Sequence, residues 1–188
     1  MTDTQPREAG SSREALNRED EARFRQVFHA DIDIRIARDG TWYHEGSPIN
    51  RKPLVKLFAG ILTRDPDGGY YLVTPAEKRR ITVDDAPFVA VHVAATGEGA
   101  AQQLLFRSNV DDEVTAGPEH PIRVDFDDAT GEPAPYIEIR PGLEALIARP
   151  VYYELVGLGE TERRDGADVL GVWSGGVFFA LGTLDDDT

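Results

Sequence analysis

The chain has 188 residues, 40% hydrophobic and 29% charged, a composition and length that suit one globular domain or two small ones. It contains no cysteine, which excludes disulfides, Cys-ligated zinc, iron–sulfur clusters and thiol nucleophiles. Twenty basic side chains face 34 acidic ones, and the net charge of −14 disfavours generic nucleic-acid binding.

The charge is uneven. Residues 1–97 hold 14 basic and 15 acidic side chains, whereas residues 98–188 hold 6 and 19. A basic patch for an anion therefore belongs in the first half, and the second half reads as a solvated acidic surface. No run reaches the ~18–20 apolar residues of a membrane helix. The first 21 residues lack an apolar signal core, so a cytoplasmic location is expected.

In chain order, residues 1–22 read as a mobile tail, and Phe24, Val27 and Phe28 as one docked helical turn. Ile32, Ile34 and Ile36 alternate with polar residues, a half-buried strand. Asp39-Gly40 predicts a type I′ hairpin turn into a strand at Thr41–His44. Asn50 is placed to cap a helix whose apolar face is Leu54, Val55, Leu57, Phe58, Ile61 and Leu62. The breakers Asp65–Gly69 end it, and strands follow at Tyr70–Thr74 and Arg80–Val83.

Strands are then expected at Phe88–Ala94, Gln103–Ser108, Ile122–Phe126 and Tyr136–Arg140. Leu143, Leu146, Ile147, Val151, Leu155 and Leu158 predict a second helix, opened by Pro141-Gly142 and kinked or reset at Pro150. A hairpin around Ser174-Gly175-Gly176 and an acidic tail at 185–188 complete the chain. The order strand, helix, breakers, hairpin occurs over Ile32–Val83 and again over Tyr136–Leu181. That echo predicts an α+β fold of two subdomains, each mainly antiparallel sheet with one packed helix, at 23–85 and 86–184.

Several blocks are characteristic in combination: Asp39-Gly40-Thr41-Trp42 with Gly46-Ser47-Pro48-Ile49, Arg51 and Leu54–Phe58; Leu72–Pro75 with Glu77-Lys78; and Gly171–Gly176. Together they resemble a bacterial family of uncharacterised proteins, a domain of unknown function. The resemblance covers nearly everything after residue 30. It implies a fold of repeated motifs, two small α+β subdomains, and a C-terminal part superficially like a pleckstrin-homology module. It also implies a role in signal transduction, with a ligand site between the subdomains.

Catalytic patterns are sparse. Ser174 lacks the glycine that a nucleophile elbow needs two positions before it, and reads as a hairpin turn. His29, His44, His92 and His120 form no metal-binding pair, and no glycine-rich phosphate loop occurs; no metal or cofactor is expected. A hydrolase or transferase reading rests on His44, Glu45 and Glu77 as acid–base groups. Arg51 and Lys52 at a helix start suit an anion. Thr74–Glu77 fits a capping box with Lys78 beside it. The expected site is thus a cleft between the subdomains lined by Arg51, Thr74, Glu77, Lys78 and Asn109, the last at a strand end. Its residue types suit binding a small anion or a protein partner more than turnover. An acidic interaction scaffold is the third reading, with neither nucleic acid nor membrane as partner.

Overall fold

The structure is a computed structural model and describes residues 31–184. The expected tails at 1–22 and 185–188 and the Phe24–Phe28 turn lie outside the described residues.

The first sheet is built from β1 (Asp31–Ile36), β2 (Trp42–His44), β3 (Ser47–Pro48), β4 (Leu62–Arg64), β5 (Tyr70–Val73) and β6 (Lys78–Val83), with α1 (Lys52–Gly60) between β3 and β4. Its strand order is β3-β2-β1-β6-β5-β4. Neighbours are antiparallel except β1 and β6, which pair in parallel, Ile36 beside Val83. The second sheet comprises β7 (Phe88–Thr96), β8 (Gln103–Ser108), β9 (Glu113–Thr115), β10 (Ile122–Phe126), β11 (Pro133–Arg140) and β12 (Leu143–Ile147). Its order is β10-β11-β12-β7-β8-β9, again with a single parallel pair, β7 with β12. Each sheet is therefore two three-stranded meanders joined through its first and last strands.

The repetition of elements is present, and its second copy spans Phe88–Ile147 rather than Tyr136–Leu181. The rest of that stretch is an appended unit: α2 (Arg149–Gly157), then a sheet of β13 (Glu160–Arg164), β14 (Ala167–Ser174) and β15 (Val177–Leu184). The fold is α+β, two mainly antiparallel sheet subdomains with two α-helices among the described residues, as expected.

The helix expected over Leu143–Leu158 is divided. Leu143, Ala145 and Ile147 are buried at period two and pair with both β11 and β7, so that stretch is strand. Helix begins only at Arg149, with Pro150 in its first turn, where the missing N–H is tolerated. In α1 the residue before the helix is Arg51, in extended conformation and with no side-chain cap, so Asn50 does not cap it. Leu57 is 62% exposed; α1 rests on its sheet through Val55, Phe58 and Ala59, with Phe58 stacked on Trp42 at 6.1 Å.

The β1–β2 connection is not a two-residue type I′ turn. Ala37 and Thr41 pair across it, and only Gly40 takes a positive φ, the three-residue hairpin with glycine in its left-handed position. The I′ form occurs instead at Gly175-Gly176, both at positive φ, between β14 and β15. One apolar cluster, including Ile36, Trp42, Phe88, Phe106, Ile137 and Leu155, runs through both subdomains and the appended unit.

Candidate functional site

The sequence-derived site is partly assembled. Asn109 leaves the end of β8 and joins the subdomains: its Oδ1 accepts the Val89 N–H at 3.1 Å, and its Nδ2 donates to the Gly40 carbonyl at 3.3 Å. Arg51 is exposed at the start of α1. Its neighbour Lys52, with Lys56, holds Asp111 at 2.9 and 3.3 Å, so the start of α1 and the β8–β9 turn share one seam. Both ammonium groups hold the Asp111 carboxyl below its ordinary range, mainly by hydrogen bonding. Arg140 closes the same seam from β11, donating to the Ala59 carbonyl at 3.0 Å and to Asp112 at 3.1 Å.

Thr74, Glu77 and Lys78 sit elsewhere. The parallel pairing places the start of β6 beside Asp31, and Asn109 meets the turn beyond Ile36 at the other end of β1. A strand's length, roughly 17 Å, separates the two ends. Thr74 accepts the Ala76 and Glu77 N–H groups, as the capping pattern requires, but the chain leaves the turn as a strand. Glu77 pairs with Arg79. Lys78 bonds Asp65 and lies 4.4 Å from the Tyr71 ring centre, which leaves little of its charge for a ligand. Among the described residues no hydrogen bond or ion pair joins His44, Glu45 and Glu77.

Ser174 is fully buried; its Oγ donates to the Ala116 carbonyl at 2.7 Å and accepts the Leu104 N–H at 2.9 Å, so it ties β14 to the second sheet. His120 likewise bonds the Glu138 carbonyl at 2.9 Å.

A cleft of about 750 Å³ opens at another place on the subdomain boundary. The β1–β2 turn contributes Arg38, the β10–β11 hairpin contributes residues from Asp125 to Pro135, and the end of β12 and the first turn of α2 complete it. The apolar part of its wall is Phe126, Leu146, Tyr152 and Tyr153, with Pro133 and Pro135, and charged side chains form the rest. The sequence reading passed over it because its parts lie far apart in the chain. Tyr152-Tyr153 beside Pro150 was the available signal, masked by the long helix drawn through them.

Behind this cleft a polar chain runs to the linker between the sheets. Arg38 lies 3.1 Å from the Asp85 carboxylate, Tyr136 donates to Asp85 at 2.8 Å, and the Arg123 guanidinium lies 4.1 Å from the Tyr136 ring centre. Burial and the Asp85 hydrogen bond push the Tyr136 hydroxyl up to about 12. Arg123 also grips Glu144 through two hydrogen bonds and bonds Asp125 at the cleft edge.

Among the described residues lining the cleft there is no histidine or serine. Thr130 donates to Asp127 at 3.0 Å, but the Thr130 and Ala129 N–H groups hold the Asp127 carboxyl below its ordinary range, which makes it a weak base. No group of metal-ligating side chains occurs among the described residues. No helix among them is long and apolar enough to cross a membrane.

Family models match both parts of the chain: residues 23–86 match the N-terminal domain of DUF1285, a domain of unknown function, and residues 87–181 match the C-terminal domain. The chain belongs to the DUF1285 family. No curated protein matches it. Among solved structures it is similar to a DUF1285 family protein from Silicibacter pomeroyi DSS-3, 54% identical over 82% of each chain, with a TM-score of 0.76. A DUF1285 family protein from Shewanella baltica OS155 is 26% identical over 67% of this chain and 91% of the other, with a TM-score of 0.52. The family resemblance read from the sequence is thereby shown, and it brings no activity with it.

Proposed function

We propose that this protein is a non-catalytic binding module, used in regulation or signalling, whose ligand or partner enters the cleft where the two DUF1285 domains meet. The observation that carries this reading is the composition of the cleft. The C-terminal domain builds it with Arg38 of the N-terminal domain at its edge, aromatic and proline side chains face it beside a few charged ones, and its described residues include no activated nucleophile. Binding sites of this size combine an apolar wall with a few polar anchors, and catalysis would need a matched acid–base pair besides. The anion expected at Arg51 and Lys78 loses support, since Lys78 is held by Asp65 and stands at the far end of the first sheet.

The test is an amide-resolved NMR titration of the full chain with a mixture of aromatic and polar fragments. Shifts confined to Phe126, Ala134, Leu146, Tyr152 and Tyr153 are expected, and Tyr153→Ala should abolish them. Shifts that cluster at Arg51 and Asn109 would relocate the site. Hydrolysis of p-nitrophenyl acetate or phosphate that falls on His44→Ala or Glu77→Gln would replace the binding reading with the enzyme reading.

A further inference from the structure

We propose that the cleft selects a cationic ligand, an ammonium or guanidinium group carried on an apolar body and held between the aromatic wall and the carboxylates of the β10–β11 hairpin. This rests on the binding reading above and adds the sign of the charge that the site accepts.

The two arginines of the cleft already face carboxylates. Arg38 lies against Asp85, and Arg149 faces Glu132 at 3.7 Å. Three carboxylates, Asp125, Asp127 and Glu132, line the cleft against those two arginines. Asp85 and Glu144 behind it add further negative charge around the single Arg123. Asp127 stays ionised through its turn hydrogen bonds and spends only Oδ1 on them. The charge left over in the cleft is therefore negative, in the half of the chain that carries 19 acidic and 6 basic residues.

The start of α2, a helix end of the kind that favours an anion, has little to offer one. Pro150 has no N–H, and the Ala148 N–H is donated to the Ala90 carbonyl at 3.0 Å, so the helix end offers few donors to the cleft.

The aromatic rim favours a cation as well. Phe126 is 51% and Tyr153 62% exposed, two large rings presented to solvent at the mouth of a cavity. Ring faces attract cations through their quadrupole, more strongly where the cation is partly desolvated, and carboxylates beside them complete the recognition. The protein uses the same pairing elsewhere, with Arg123 at 4.1 Å from Tyr136 and Arg164 at 4.2 Å from Phe178.

The test uses three probes on one scaffold, titrated into the full chain and followed at the cleft amides: 2-phenylethylamine, 3-phenylpropionate and 2-phenylethanol. A fourth probe, an N-acetylated and C-amidated Tyr-Arg-Pro peptide, distinguishes a polypeptide source of the cation from a small amine. The amine should bind at least tenfold more tightly than the carboxylate. Asp127→Asn, which keeps the turn acceptor, combined with Glu132→Gln should collapse that ratio towards one, and Tyr153→Ala should weaken all the probes. Tighter binding of the peptide than of the amine assigns the cation to a polypeptide, and the reverse assigns it to a free amine; both uphold the charge selection. Carboxylate binding equal to or tighter than amine binding overturns it. In that case cleft shifts from the alcohol and the carboxylate leave the binding reading standing, whereas no cleft shift with any probe removes both.

Discussion

The two six-stranded sheets share one strand order and bury their shared strands differently. In the first sheet the helix lies between the third and fourth strands; in the second a short turn at Gly117–His120 takes that place, and the helix follows the sixth strand. Parallel pairing at the centre of a sheet goes with covered faces, and each copy finds its cover at a different connection. The covers are unequal: α1 has one buried residue, Ala59, while α2 buries Val151, Tyr152 and Leu155 and packs between β7 and β14. Topology is thus repeated without repeating the residues that stabilise it, and the second copy, with its appended sheet, carries the deeper core.

The sharpest way to break that comparison is at β7. Phe88 is fully buried where the second sheet begins, so Phe88→Ala should cost about 3–5 kcal/mol in urea denaturation. A loss below 1 kcal/mol would mean that the second sheet is not the dominant core. Next comes the joint between the copies. Gly40 has φ +82°, and a Cβ there would lie 2.5 Å from Asn109 Nδ2, so Gly40→Ala should cost about 1–3 kcal/mol. Asn109→Ala leaves the Val89 N–H without its acceptor and should cost about 1–3 kcal/mol, and the double variant should lose less than the sum. Strict additivity in that cycle would show that the contact does not couple the subdomains.

Two pH slopes sharpen the picture at the boundary. The Tyr136 hydroxyl is raised from 10.0 to about 12, so its contribution is full below pH 10 and disappears as pH rises through 12. Tyr136→Phe should flatten the alkaline fall in melting temperature in part only, because Tyr70, Tyr71 and Tyr152 are raised as well. Asp111 moves oppositely: its carboxyl lies below the ordinary value of 3.8, so its pairing with α1 is complete above that pH and is lost as pH falls below it. Replacing Lys52 and Lys56 by Gln should reduce the acid slope, a small effect for pairs this exposed. The smallest effect is expected at Leu57→Ala, within about 0.5 kcal/mol in the same denaturation, because that side chain faces solvent. A loss of 2 kcal/mol there would show a covered α1 face and narrow the difference between the two helices.

Local pattern alone determined much of this protein. Alternation at Ile32–Ile36, the breakers around Pro66, the Gly175-Gly176 hairpin and the α+β class follow from side-chain period and turn chemistry, which act over a few residues. Tertiary structure decided the rest. Leu143–Ile147 satisfies helical and strand spacing alike, and only two neighbouring strands, one of them some 55 residues away in the chain, made it a strand. Leu57 carries an apolar side chain and yet stands 62% exposed. Lys78 and Asn109 read as ligand contacts until Asp65, Tyr71, Gly40 and Val89 occupied them. The cleft was illegible for the same reason: Arg38, Asp125, Leu146 and Tyr153 share no spacing, and the pairing of distant strands, which no local period encodes, brings them together.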